Sequence, residues 1–295
     1  MMMIMPHRVF SFSLVSLWFL LLFLSLFYME VLRVGALNIN GGRDRNKRAW
    51  VLEVIKQKRL NVVFLQETHS DEANEVDWGM WWEGQHILSH GTNFSAGVAI
   101  LFSSGLGVTV VSTTEIVKGR VLLVKVDVMG FLFVFLNVYA PNEGTERIAI
   151  FDKIKETLRQ CDQEGCMVLG GDWNCTVDFT VDRTAEEPHL RSATCLSGLL
   201  TEFELSDVWR VRNAKVRQYT WLKVNEGGVS AARLDRLYVS ELYCSRVGRC
   251  DITPVGFSDH HIVTVDIHLS CPRRSSPYWY FNVKLLHDVM FWEKW

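Results

Sequence analysis

Short apolar runs and amphipathic stretches follow one another along most of the chain. Val31 to Ile39 is rich in β-formers and ends in Asn38-Ile39-Asn40-Gly41-Gly42, which predicts a strand finishing on polar groups and a glycine turn. The basic stretch from Arg43 to Lys58 carries Trp50, Val51, Val54 and Ile55 at helical spacing, so it predicts an amphipathic helix. Asn61 to Leu65 is a short apolar strand leading into Gln66-Glu67-Thr68-His69, whereas Asp77 to His90 has no clean period and reads as irregular. Gly97 to Phe102, Val108 to Val111, Val121 to Val128 and Phe131 to Val138 predict further short strands, the last three as an antiparallel meander. A helix from Ile148 to Cys161 leads into Met167-Val168-Leu169-Gly170-Gly171-Asp172-Trp173-Asn174, a buried strand closed by a tight turn. Thr180 to Ser192 is polar and reads as a surface loop, and Cys195 to Phe203 as a helix. Tyr219-Thr220-Trp221 opens a strand whose expected partner runs from Ala232 to Val239, and Ile262 to Leu269 is the last strand. Sheet-forming and helical segments in this order predict two β-sheets packed together with helices outside, an α+β fold.

Length and charge narrow what such a fold can do. With 295 residues and 48% hydrophobic content the chain can bury a large core, and a formal charge of -2 excludes phosphate binding by the field of the whole surface. Contact with phosphate would need local clusters or a metal ion. The local clusters are Arg43, Arg45, Lys47 and Arg48, then Lys56, Lys58 and Arg59, and later Arg210, Arg212, Lys215 and Arg217; each also suits a solvated face. Seven scattered cysteines form no Cys-x-x-Cys pair and no zinc-spaced array, which points to reduced thiols and a nuclear or cytoplasmic protein. Against this, Val9 to Met29 is uncharged and long enough to span a bilayer, and no small-residue cleavage site follows. Residues 1–29 are therefore expected to be a hydrophobic leader: either a signal anchor that places the chain at a membrane through residues 9–29, or a segment without function ahead of a domain starting near Met29. The main domain is expected over 30–270, with 271–295 a linker cut short.

Several of the strand ends carry chemistry. Asp172 and Asn174 lie two apart, so on an extended backbone they share a face, where a carboxylate can deprotonate a water and the amide can orient it. Asn38 and Asn40 share a face in the same way. Glu67, leaving a core strand, is a hard-oxygen ligand suited to Mg²⁺, and would equally suit a helix N-terminus. Tyr139 offers a phenol to phosphate or simply an amphipathic edge. Asp235 falls on an otherwise apolar strand face and needs a partner, for which Ser258-Asp259-His260-His261 is the candidate.

Six motifs in this order, LNING at 37–41, QETH at 66–69, NVYAPN at 137–142, GGDWN at 170–174, RLD at 233–235 and SDHH at 258–261, resemble the endonuclease/exonuclease/phosphatase family. The wording is most similar to the apurinic-type endonuclease domain of LINE-type retrotransposon polyproteins; apurinic repair enzymes usually have aspartate where Asn40 stands. The resemblance implies a four-layer α/β sandwich and a Mg²⁺-dependent (or Mn²⁺-dependent) phosphodiesterase that nicks double-stranded DNA, acting as a monomer. It implies a metal held by Glu67, Asn40 and Asp259, and Asp172 as base with Asn174 positioning the water. His260, oriented by Asp235, and Tyr139 would act on the phosphate, with Asn38, Thr220 and Ser258 as substrate contacts. Rival expectations are a lipid or inositol phosphatase of the same fold and an inactive transposon relic.

Overall fold

The computed structural model describes residues 31–269, apart from 93, 162–164 and 227; the expected leader at 1–29 and linker at 271–295 lie outside the described residues. Strand β1 (Val31–Asn38) crosses through helix α1 (Arg45–Gln57) to β2 (Val62–Gln66), which lies parallel to it with Asn38 opposite Gln66. Asp44 starts the helix by accepting from the Asn46 N–H at 2.8 Å, and Val51 and Ile55 bury its apolar stripe. Helix α2 (Glu75–Trp81), β3 (His86–Ser89) and β4 (Val98–Phe102) follow, then the meander β5 (Val108–Val117), β6 (Val121–Val128) and β7 (Phe131–Tyr139). A second crossover, through α3 (Gly144–Gln160), brings β8 (Cys166–Asp172) parallel to β7. The remainder comprises α4 (Phe179–Asp182, one turn), α5 (Leu190–Glu202), β9 (Leu205–Asp207), α6 (Val208–Arg212), the hairpin β10 (Trp221–Asn225) and β11 (Gly228–Ala232), β12 (Asp235–Ser240), β13 (Val247–Thr253) and β14 (Ile262–His268).

These strands form two six-stranded mixed sheets, ordered β13-β14-β1-β2-β4-β3 and β5-β6-β7-β8-β12-β9. Every residue of β2 is buried because the sheet is covered on both sides: Val62 and Phe64 face the other sheet, Val63 and Leu65 face α1 and α2. The second sheet repeats this, with Phe133 and Phe135 between the sheets and Val134 and Leu136 under α3 and α5. Helix, sheet, sheet, helix is the four-layer sandwich expected, and its inner layer is an apolar slab in which Phe64 meets Phe135 at 5.7 Å between ring centroids. Gly170 and Gly171 permit the tight pairing of β8. A Cβ on Gly170 would come within 2.4 Å of Leu237, and one on Gly171, whose φ is +132°, within 2.0 Å of the Val138 carbonyl.

Both crossovers end their strands at one pole, with Asn38, Gln66, Tyr139 and Asp172 as last residues. At the other pole Val31, the first residue of β1, lies opposite His268, the last of β14. Among the described residues no helix is long and apolar enough to cross a membrane.

The sequence reading needs correction in four places. The stretch 77–90 is ordered: α2 is anchored by Trp78, which is buried, and β3 pairs with β4. The strand opened at Trp221 pairs along its length with Gly228–Ala232 and is bridged at Trp221 to His260; from Asp235 the chain leaves the hairpin and joins the main sheet, with Asp235 opposite Asp172. The supposed surface loop at 180–192 contains α4 and the start of α5, and buries Asp182 and Glu187. Asp172 and Asn174 do not share an extended backbone, because β8 ends at Asp172 and Asn174 has φ +50°.

Candidate active site

The strand ends of both sheets open into a cavity of about 330 Å³ lined by Asn40, Glu67, Asp172, Asn174, Asp259 and His260. Three of these residues, Asn40, Glu67 and Asn174, hold left-handed backbones (φ +47°, +52° and +50°) that non-glycine residues rarely adopt. The strain is offset by local bonds. Gly41 N–H donates to the Glu67 carbonyl at 2.8 Å and Asn174 N–H to Asp172 Oδ1 at 3.0 Å, and the Asn40 N–H is taken by Asn38 Oδ1 at 2.9 Å.

Asp172 is almost wholly buried. Burial, and next the Asp235 carboxylate on the facing strand, push it up to about 7 against the pull of His260 and the Asn38 amide. The Nδ1–H of His260 meets Asp235 Oδ2 at 2.8 Å, while its Nε2 stands 4.0 Å from Asp172 Oδ2. Burial draws the imidazole down, but Asp235 more than reverses this and lifts it to about 10, so the ring is cationic at neutral pH. Asp235 Oδ1 is buried with no hydrogen-bond partner. Asp172, Asp235 and His260 present ligand atoms within 4.8 Å of one another, a group that could hold a metal ion.

A second oxygen-rich group lies at the open side. Glu67 keeps about a fifth of its side chain exposed (22%), and Asp259 accepts from the Asn40 amide at 3.2 Å and from Trp221 Nε1 at 3.1 Å. Lys47 donates to the Asn40 carbonyl at 2.6 Å, its pKa lowered by burial against the opposing pull of Asp259 and Glu67. Two carboxylates and an amide carbonyl, partly open to water, fit a hard cation such as Mg²⁺; the imidazole-bearing buried group suits transition metals better.

Three other expected site residues, Asn38, Thr220 and Ser258, sit behind the cavity wall, whereas Tyr139 stands at its edge beside Glu67. Asn38 is fully buried and bridges the sheets, donating to Glu67 Oε1 at 2.9 Å and Asp172 Oδ2 at 3.0 Å. Thr220 accepts from the N–H groups of Leu234 and Asp235, both at 2.9 Å. Ser258 donates to the Asn38 carbonyl at 2.8 Å and accepts from the His260 N–H at 3.1 Å. Tyr139 has its ring under Arg120, and burial together with the neighbouring Glu67 raises its pKa, so the phenol keeps its proton.

The sequence residues 35–260 match the model of the Endonuclease/Exonuclease/phosphatase family. The chain belongs to this family. It is 35% identical over 260 residues to the transposon TX1 uncharacterized 149 kDa protein of Xenopus laevis, a match covering 88% of this chain and 20% of that protein; the chain thus spans about a fifth of the length of this relative. Its fold is similar to that of the AP endonuclease LMAP from Leishmania major (TM-score 0.69, 17% identity, 82% of this chain and 89% of that one). It is also similar to that of the endonuclease domain of TRAS1, a telomere-specific non-LTR retrotransposon (TM-score 0.62, 15% identity, 81% and 99%).

Six lining residues were not among the expected site residues: Asn142, Arg147, Arg183, Pro188, Trp221 and Leu234. Asn142 and Leu234 had a legible signal, since they lie inside the NVYAPN and RLD motifs, and Trp221 lies in the opening of a predicted strand. Arg147 did not: it is buried at the start of α3, where it donates to the Pro141 and Asn142 carbonyls at 3.1 and 2.7 Å.

Proposed function

We propose that this chain is a Mg²⁺-dependent endonuclease that hydrolyses phosphodiester bonds of double-stranded DNA, the nuclease part of a transposable-element protein. The observation that carries the proposal is the pairing, in one open cavity, of a buried Asp172–His260–Asp235 group with the water-exposed oxygens of Glu67, Asn40 and Asp259. The similarity to a transposon protein, and to solved AP and retrotransposon endonucleases, supports DNA as the substrate.

In this proposal Glu67, Asn40 and Asp259 hold the metal. Bound there, Mg²⁺ would polarise a non-bridging phosphate oxygen and steady the leaving oxyanion. Asp172 takes the proton of the attacking water, which Asn174 positions through an amide fixed by its bond to the Ala140 carbonyl at 2.7 Å. Asp235 holds His260 cationic and pointed at the phosphate, where its Nε2–H stabilises growing negative charge. Tyr139, kept protonated, donates to another phosphate oxygen. Thr220 and Ser258 act by fixing the backbones of Asp235 and His260. We also propose that the protein acts as a monomer, and that it works in the nucleus or cytoplasm; the six free cysteines of the described residues support the second of these.

The purified 295-residue chain is expected to convert supercoiled plasmid to open circles in Mg²⁺ and to stop when EDTA is in excess. Undiminished nicking in excess EDTA would remove the metal from the proposal, and a folded protein that leaves the plasmid supercoiled in Mg²⁺ and in Mn²⁺ would remove the activity.

A further inference from the structure

The proposed metal ligands and the proposed base stand on different sheets. Glu67 and Asn40 follow β2 and β1, and Asp259 precedes β14, all in the first sheet; Tyr139 and Asp172 end β7 and β8 of the second, with Asn174 in the turn after β8. The chemistry then depends on how one sheet is seated on the other, and the apolar slab between them is a poor ruler. Aromatic and aliphatic contacts are non-directional, whereas hydrogen bonds weaken steeply with distance and angle; at the site itself Asn38 and the His260–Asp235 pair already bond from one sheet to the other.

Two amides cross the slab just before the site. Gln66 is the residue before Glu67, and Asn137 lies two residues before Tyr139; both are fully buried, on the inward faces defined by Phe64 and Phe135. Gln66 Nε2 donates to Asn137 Oδ1 at 2.7 Å. Asn137 Nδ2 donates in turn to the carbonyls of Leu65 and Ala99, each at 2.9 Å. A single side chain of the second sheet is therefore bonded to three groups on β2 and β4 of the first. For folding alone this is a poor arrangement: two amides are withdrawn from water, and Gln66 Oε1 is left buried without a partner. Exchanging both amides for apolar residues of similar volume would remove these costs, at the expense of the bonds to the Leu65 and Ala99 carbonyls.

We propose that Gln66 and Asn137 form a positioning pair that sets the register of the two sheets and so places Asp172 against the metal-binding edge, an inference that rests on the nuclease activity proposed above. The pair acts on the rate of the chemical step and leaves metal affinity alone, because all the proposed metal ligands move together on one sheet. A displacement of about 1 Å between reacting groups costs on the order of 10²-fold in rate.

The test uses the full chain with Asn137→Leu, with Gln66→Met, and with both. Asn137→Leu strands the Gln66 amide and two carbonyls and should melt lower; adding Gln66→Met should recover much of the loss. The double variant is expected to nick plasmid about 10- to 100-fold more slowly at saturating DNA, with KM for DNA and the Mg²⁺ concentration for half-maximal rate unchanged. Asn137→Ser, which leaves room for water, should show the same split if the double variant does not fold. Any folded variant lacking the Asn137 amide that keeps the wild-type rate overturns the proposal, as does one whose Mg²⁺ requirement shifts in step with its rate. If the wild type itself does not nick, the nuclease proposal has failed, and the pair is judged from crystal structures of wild type and double variant. An unchanged separation of Glu67 and Asp172 then overturns it.

Discussion

In the role proposed for it, Asp172 is both a base and a buried anion, and burial of the anion bears on stability. Its pKa is raised in the folded chain to about 7. An acid shifted upward costs nothing below its unfolded value near 4, costs progressively more as pH rises, and carries the full penalty above its folded value. A shift of this size corresponds to something on the order of 4 kcal/mol at most. Asp172→Asn keeps the shape and removes the basicity, so nicking should fall by about 10² to 10⁴. Its melting temperature relative to wild type should rise between pH 5 and pH 8. Thermal melts at the two pH values, beside single-turnover nicking of a defined duplex, check both halves; a variant that nicks normally would mean that another group is the base. At this scale much was legible, because Asp172, Asp235 and His260 are residue types whose chemistry shows in the sequence. What did not show is that Asn38, Thr220 and Ser258 turn away from the cavity, since that depends on which partner is nearest once the strands are paired.

Elements, rather than residues, account for most of the misreadings. β12 was legible as a strand but not its place, because a strand buried on both faces does not declare its neighbour; pairing with β8 is what sets Asp235 opposite Asp172. The segment behind it was misread for a related reason. Asp182 lies in a polar stretch that looks solvent-facing, yet it is buried against Arg233, whose Nε and Nη2 donate to it at 2.7 and 2.9 Å, and it is also paired with Arg210. Arg233 reaches on to Asp207 at 2.6 Å, so α4, β9 and the entry to β12 are tied by one ionic knot. Although burial opposes ionisation of Asp182, the arginines hold its pKa below the usual carboxylate range. A depressed carboxylate stabilises the fold above its unfolded pKa, and this stability is lost as pH falls through the folded value. Asp182→Asn should therefore cost about 3 to 5 kcal/mol at pH 7, the scale for breaking a buried pair, and progressively less as the pH falls below the ordinary carboxylate range, from about pH 4 downward. Denaturant unfolding at pH 7 and near pH 3 measures this. An equal loss at both would show that the knot acts through packing and not through charge.

For the molecule as a whole, the four-layer sandwich was legible because each layer imposes its own period, and the two parallel crossovers left a helix between apolar runs in both halves. The short pieces β9, α6 and β13 were not, being too brief or too irregular to carry a period. All the groups proposed for chemistry fall within the described residues, so a fragment of residues 31–269 should melt cooperatively and nick plasmid within about 3-fold of the full chain, a difference of less than 1 kcal/mol in the barrier. A rate measurement on the two proteins decides it, and a folded but inactive fragment would assign part of the site to the flanking segments. The pairing of Val31 with His268 at the pole away from the cavity has a further consequence. Polypeptide entering at one and leaving at the other does so side by side, as two leads of one plug. The domain can be spliced into, or hung from, a much larger protein by a single narrow stalk, with the face that carries the cavity turned outward.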